Sequence, residues 1–263
     1  MRVGLFPGQG SQTADMPLDT AGQQPAVFAT SVASFNRAGI ECDFFAGHSL
    51  GSYAALVAAG AMSEADGGRV VTERGRAMAA AAEESPGAML ALLGCSPEGA
   101  EQLAEQFGLT VANDNAPGQI VVTGAMDAIE SIEAAEPVDP TAGPDARRLR
   151  LKRLPVSGAF HSPLIESAAV RLAAALEPVE FGDASNVIAN GTARPYEDPK
   201  VELVAEMLKP VRFRESLFYM WEIGVREFVE FEPGGVLTGL VKRTLPEAKA
   251  LKVNDLVGAA DGG

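Results

Sequence analysis

Short apolar runs alternate with helix-length amphipathic stretches along most of the chain. Residues 2–6, RVGLF, run directly into Pro7-Gly8-Gln9-Gly10. That pattern predicts a buried strand delivered into a tight turn. A helical period over 25–38, with Pro25 in its first turn and Gly39 beyond its end, predicts the first helix. The run CDFFA then leads into Gly47-His48-Ser49-Leu50-Gly51, followed by expected helices at 52–60 and 64–84, the second despite Gly67 and Gly68. Further on, helices are expected at 163–176, 200–208, 214–223 and 235–245, and strands near 186–190, 226–231 and 250–254. This alternation predicts an α/β fold whose parallel sheet is covered on both faces.

The stretch between has a different rhythm. Residues 87–94 read as a strand, 97–107 as a helix, 109–113 and 119–124 as strands, 126–135 as a helix and 148–154 as a strand. The order β-α-β-β-α-β is the ferredoxin-like pattern, and it predicts a small domain at 86–153 inserted in a larger one made of 1–85 and 154–263. Pro137, Pro140, Gly143 and Pro144 mark a loop inside it, and the terminal GAADGG is expected to fray.

Composition narrows the classes. With 47% hydrophobic residues in 263, the chain has material for a substantial core, which argues against disorder. Thirty-five acidic residues against 21 Lys plus Arg give a formal net charge of −14. A surface of that sign does not seek nucleic acid or an anionic membrane. No apolar run reaches membrane-spanning length, no secretory pattern opens the chain, and Cys42 and Cys95 form no CxxC. A cytoplasmic, reduced protein is the expectation. No spacing of metal ligands is visible.

Gly47-His48-Ser49-Leu50-Gly51 is a G-x-S-x-G sequence between an apolar strand and a small-residue helix, the setting a nucleophile elbow requires. Ser49 is the candidate nucleophile. Only His48 and His161 can supply an imidazole. Adjacent side chains at such a turn diverge, so His161, in a loop between strand and helix, is the candidate base. No single Asp or Glu stands out as a third member, and a Ser–His dyad is the economical reading. Arg74 shares an apolar helix face with Val70, Val71 and Met78. A buried guanidinium there pairs either with an internal carboxylate or with a substrate's. The basic run Arg147, Arg148, Arg150, Lys152 and Arg153, with Lys209, Arg212, Arg214, Lys242 and Arg243, is either solvated edge or a dock for an acidic partner.

Taken together, these residues resemble the malonyl-CoA:acyl carrier protein transacylase family and the related acyltransferase domains of polyketide synthases. The resemblance is carried by LFPGQGSQ at 5–12, QPA at 24–26, GHSLGSY at 47–53 and ERGRAM at 73–78. It continues with NDNAPGQIVVTG at 113–124, LPVSGAFHSPL at 154–164, KPVRF at 209–213 and EPGGVLTGLVKR at 232–243. It implies a hydrolase-like parallel-sheet core with the inserted ferredoxin-like domain. In that family's scheme Ser49 is the nucleophile and His161 the general base and acid. The backbone N–H groups of Gln9 and Leu50 form the oxyanion hole. Arg74 clamps the malonyl carboxylate, with Gln24 orienting it, and a backbone carbonyl near Glu206 aligns the imidazole. Asn115, Gln119 and Phe160 are secondary pocket residues, Phe160 limiting bulk beside the malonyl methylene. The resemblance also implies malonyl-CoA as a CoA thioester substrate and no tightly bound cofactor. The phosphopantetheine is carried by a transient, acidic acyl carrier protein, and the enzyme is a monomer.

Three departures stand out. Only eleven residues separate Gln12 from Gln24, where the family has several dozen more; the reading favours omitted residues over a natural deletion, because lost helices would bare apolar surface. Glu206 stands where Gln is common, which alters the charge around His161. Ser52 replaces the common Glu of GHSLGEY. The competing readings are a serine hydrolase or thioesterase, and a non-catalytic carrier-protein docking domain.

Overall fold

The structure, a computed structural model, describes residues 1–143 and 147–257. Pro144 and the terminal 258–263 lie outside the described residues. Two sheets organise the chain. The larger has five parallel strands in the order β7-β2-β1-β8-β9, built from β1 (Arg2–Phe6), β2 (Phe44–Gly47), β7 (Val187–Ile188), β8 (Glu227–Glu230) and β9 (Lys249–Lys252). Side-chain alternation along these strands feeds two cores. Phe6, Phe45, Val229 and Phe231 point into one, with α1 (Thr20–Ala38), α2 (Gly51–Ala58), α3 (Glu64–Glu84) and α6 (Glu166–Leu176). Val3, Leu5, Ala46 and Phe228 point into the other, with α8 (Phe213–Glu222) and α9 (Val236–Thr244). Both faces are therefore closed, as the apolar runs predict.

The smaller sheet is antiparallel, in the order β4-β5-β3-β6, from β3 (Gly87–Leu93), β4 (Thr110–Ala116), β5 (Gln119–Ala125) and β6 (Arg150–Arg153). Helices α4 (Pro97–Phe107) and α5 (Met126–Ala135) cover it through Leu103, Ile129 and Ile132. β4 is irregular, with register shifts between Val111 and Asn113 and between Asp114 and Ala116. There the backbone turns to the other body of the protein: Asp114 N–H donates to the Val211 carbonyl and Val211 N–H to the Ala112 carbonyl, each at 2.9 Å. The irregularity thus presents Asn113 and Asn115 to the ends of β1 and β2.

Several local expectations are corrected. The first helix begins at Thr20, not in the mid-twenties, because the Asp19 side chain caps it by accepting from Gly22 N–H. Pro25 consequently sits inside α1. The expected strand at 250–254 ends at Lys252, and Val253–Val257 turn into α10. The expected helix at 163–176 opens with a 3-10 turn over Pro163–Ile165. Gly67, in the pair that weakened the prediction of α3, is a contact point: an added Cβ would stand 2.7 Å from Phe28 Cζ of α1.

The short Gln12–Gln24 interval is bridged by a turn in which Met16 N–H donates to the Thr13 carbonyl, followed by the cap of α1. Leu18, 87% exposed, is the one fully exposed large apolar side chain in it. β7 is only two residues long, and α7 (Pro199–Glu206) packs against α6, with the Glu206 carboxylate accepting from Asn190 N–H just beyond β7.

Candidate active site

β1 and β2 are neighbours in register, Phe6 beside Gly47, so the loops that leave them lie side by side. Loops at the C-terminal edge of a parallel sheet are where such folds place chemistry. The His48 N–H donates to the Phe6 carbonyl at 3.0 Å, and the chain then reverses sharply into α2. Side chains have no room at two points of that reversal. A Cβ on Gly51 would stand 1.9 Å from Phe6 O, and one on Gly47 would stand 2.0 Å from Gly51 C. Between them Ser49 takes φ +51°, an uncommon conformation for a non-glycine residue. The strain presents the hydroxyl at the tip of the elbow. Ser49 N–H is held by Asn190 Oδ1 at 3.0 Å.

His161 also has a positive φ, +58°. Its Nε2 lies 2.9 Å from Ser49 Oγ, and its Nδ1 lies 2.9 Å from the Glu206 carbonyl and 3.2 Å from that of Lys209. Carbonyls only accept, so Nδ1 carries the hydrogen and Nε2 presents a lone pair to the serine hydroxyl. Among the described residues no carboxylate touches the imidazole. Burial, and then the nearby Arg74 charge, pull the His161 pKa down to about 4. The ring is neutral at physiological pH, the form a base requires.

Arg74 reaches the same oxygen from α3. One terminal nitrogen donates to Ser49 Oγ at 2.9 Å, the other to Gln24 Oε1 at 2.7 Å. It is 3% exposed, it has no ion-pair partner among the described residues, and its Nε has no acceptor. The Tyr53 ring, 5.6 Å from the guanidinium carbon, supports it from one side. A buried guanidinium without a counter-ion costs several kcal/mol, and an incoming anion relieves that cost. Gln24 is fixed in turn by Gln9, whose Oε1 accepts from Gln24 Nε2 at 3.2 Å.

A cavity of about 370 Å³ opens over Ser49 and His161. Met78, Met89, Val121 and Phe160 supply its apolar wall. His48 and Asn115 supply a polar one, joined Nε2 to Oδ1 at 2.7 Å. Among the described residues, neither the N–H of Gln9, which lines the cavity, nor that of Leu50, which follows Ser49 in the elbow, donates to a protein acceptor. Gln119 lies further out, where its Oε1 accepts from Arg243 at 2.9 Å. There the cavity meets an open groove bordered by Arg148, Arg150, Lys152 and Arg243. The residues could hold no metal by clustered ligands: no group of three or more His, Cys, Asp or Glu stands together among the described residues.

Family comparison agrees with this geometry. Residues 18–261 match the model of the acyl transferase domain. The malonyl CoA-acyl carrier protein transacylase of Bacillus subtilis is 39% identical over 251 residues, 90% of this chain and 76% of that protein. The chain belongs to this acyltransferase family. A crystal structure of an acyl carrier protein S-malonyltransferase from Vibrio cholerae superposes with a TM-score of 0.87 at 31% identity, covering 100% of this chain and 99% of that one. The polyketide biosynthesis protein ThaF of Burkholderia thailandensis is 35% identical over 292 residues, 94% of this chain but 24% of that protein. That aligned span exceeds the 263 residues here, so the relative carries residues with no counterpart in this acyltransferase.

The structure brings Ser49, His161, Arg74, Gln24 and Gln9 into one hydrogen-bonded group and puts the Glu206 carbonyl behind the imidazole. Asn115 and Phe160 line the cavity, and Gln119 stands at its mouth. Sequence reasoning missed Asn190, which holds the elbow, and Tyr196, which donates to Glu206. Of the basic groups, Arg212 and Arg214 are engaged by Glu215 and Asp114, and Arg148 and Arg153 by Glu136 and Glu133. Among the described residues no helix is long and apolar enough to cross a membrane.

Proposed function

We propose that this acyltransferase moves a malonyl group from malonyl-CoA to the phosphopantetheine thiol of an acyl carrier protein, through an ester on Ser49. The single observation that carries the reading is the convergence on Ser49 Oγ of a neutral imidazole and a buried guanidinium that has no ion-pair partner among the described residues. The first makes a nucleophile and the second selects an acyl group ending in a carboxylate.

The thioester carbonyl sits over the elbow with its oxygen between the N–H groups of Gln9 and Leu50. Ser49 Oγ attacks as its proton passes to His161 Nε2, and the charge that develops on the carbonyl oxygen is met by the two N–H donors. Collapse breaks the C–S bond, His161 gives the proton to the departing CoA sulfur, and malonyl-serine remains. The carrier's thiol then enters, loses its proton to His161 and attacks the ester. The C–O bond breaks and Ser49 takes the proton back. Arg74 binds the malonyl carboxylate throughout, and Gln24 fixes the plane of the guanidinium. Phe160 narrows the space beside the methylene. No tightly bound cofactor takes part in this scheme.

The groove bordered by Arg150, Lys152 and Arg243 supports docking of a transient, acidic carrier protein at the cavity mouth. A monomer in the cytoplasm fits that role. Incubation with malonyl-CoA followed by intact-mass and peptide mapping tests the reading. A malonyl adduct on Ser49, absent from Ser49→Ala, is expected; no adduct on folded protein rejects it.

A further inference from the structure

The ends of the dyad are far apart in sequence, yet one residue holds His161 by its backbone and the support of Ser49 by its side chain. The Glu206 backbone carbonyl accepts from His161 Nδ1 at 2.9 Å. Its carboxylate oxygen Oε1 accepts from Asn190 N–H at 2.6 Å and Gly191 N–H at 3.3 Å. Tyr196 O–H reaches both carboxylate oxygens at 3.0 Å. Asn190 in turn holds Ser49 N–H through Oδ1, and its Nδ2 donates to Ser52 Oγ at 2.5 Å. Glu206 is 7% exposed and has no ion-pair partner among the described residues.

A buried carboxylate with no cation in ion-pair contact among the described residues is a costly way to fill space. What it provides is acceptor capacity: three donors converge on it, two of them from the backbone segment that carries Asn190. We infer that Glu206 is a positioning residue, holding His161 by its carbonyl and the Ser49 elbow, through Asn190, by its carboxylate. Both reacting groups are then referenced to one point on α7. Ser49 and His161 each sit at a positive φ, so neither is held by ordinary backbone preference, and an external frame is what keeps Oγ and Nε2 at 2.9 Å.

The frame responds to pH. Burial raises the Glu206 pKa to about 7, against the three donors, which lower it. Tyr196 and Tyr53, both pushed up by burial, remain neutral around that pH, and His161 has already lost its proton. Glu202 on α7, Arg74 on α3 and Lys209 beyond α7 are the charged groups around it. The ionised carboxylate accepts from all three donors, so the frame tightens as pH rises through 7.

This inference rests on the transfer reading, and its test separates the two. Single-turnover labelling of Ser49 by malonyl-CoA is followed by mass for the wild type, Glu206→Gln and Glu206→Leu, normalised to folded protein by near-ultraviolet circular dichroism. Glu206→Leu removes every side-chain acceptor at similar volume and is expected to label about 10- to 100-fold more slowly at saturating malonyl-CoA, with the half-saturating concentration changed less than about twofold. Glu206→Gln keeps one acceptor oxygen and is expected to recover to within about threefold, and to lose the rise in rate near pH 7 expected of the wild type. Labelling of Glu206→Leu at the wild-type rate, or an unchanged pH profile in Glu206→Gln, overturns the inference. If Glu206→Leu does not fold, the pH comparison with Glu206→Gln still decides. A wild type that never labels overturns the transfer reading instead.

Discussion

Arg74 donates a hydrogen bond to the hydroxyl oxygen of Ser49 at 2.9 Å. The Ser49 hydroxyl is therefore occupied from two sides, its proton directed to His161 and a lone pair covered by the guanidinium. An arriving carboxylate is a stronger acceptor than a hydroxyl. In the proposed scheme it draws the guanidinium to itself and frees the serine lone pair for attack, so that recognition of the acyl group and release of the nucleophile become one event.

The specificity of Arg74 is testable with two substrates. Arg74→Ala is expected to lower kcat/KM for malonyl-CoA about 10²- to 10³-fold, the effect of burying a carboxylate with no partner. Activity toward acetyl-CoA, which has no carboxylate, should change less than about tenfold. Initial-rate measurements with both thioesters check this, and equal losses contradict the clamp.

Rate against pH should show two separate steps. His161, held at about 4, sets the acid limb of kcat/KM. The step near 7 belongs to Glu206 and is absent from Glu206→Gln. Bound malonyl neutralises the Arg74 charge that helps depress His161, so the acid limb of kcat should lie at higher pH than that of kcat/KM. Coincident acid limbs would remove Arg74 as a cause.

Stability should carry the same two groups with opposite signs. His161 has a folded pKa below its unfolded value, so its contribution is complete above pH 6.5 and lost as pH falls from there through 4. Glu206 has a folded pKa above its unfolded value, so it favours the folded state below 4.5 and loses that contribution as pH rises through 7. Between 4.5 and 6.5 the slopes oppose each other. Replacing Glu206 by Gln removes one of them. The Tm of the variant relative to wild type should therefore climb from pH 5 to 7.5 by thermal denaturation, whatever its offset; a constant difference contradicts the assignment.

Docking is tested at Arg150. It is exposed on β6, has no ion-pair partner among the described residues and borders the groove at the cavity mouth. Arg150→Glu is expected to raise the KM for carrier protein several-fold, with the effect shrinking as salt is added. The rate of Ser49 labelling by malonyl-CoA should change little. Unchanged carrier KM moves the dock to Lys242 and its surroundings.

Ser49, His161 and Arg74 were legible because each leaves a local trace. The elbow needs two glycines in fixed positions, the chain holds only two histidines, and an arginine on an apolar helix face is conspicuous. Most elements were legible too, since strand and helix periods are local. What stayed hidden is polar and distant in sequence. Asn190 meets Ser49 across 141 residues, and nothing in its neighbours announces it. The early start of α1 was obscured by Pro25, which reads as a first-turn proline until the Asp19 cap is seen. The burial of Glu206 depends on donors from Asn190, Gly191 and Tyr196, a tertiary arrangement without a sequence period.

The most direct measurement is a chase of the acylated enzyme. Protein loaded from malonyl-CoA and freed of excess substrate is mixed with holo acyl carrier protein, and enzyme and carrier masses are followed together. The malonyl mass should leave Ser49 and appear on the carrier far faster than free malonate forms in buffer alone. Loss of the adduct to free malonate at the same rate with and without carrier would make the protein a hydrolase and contradict the account.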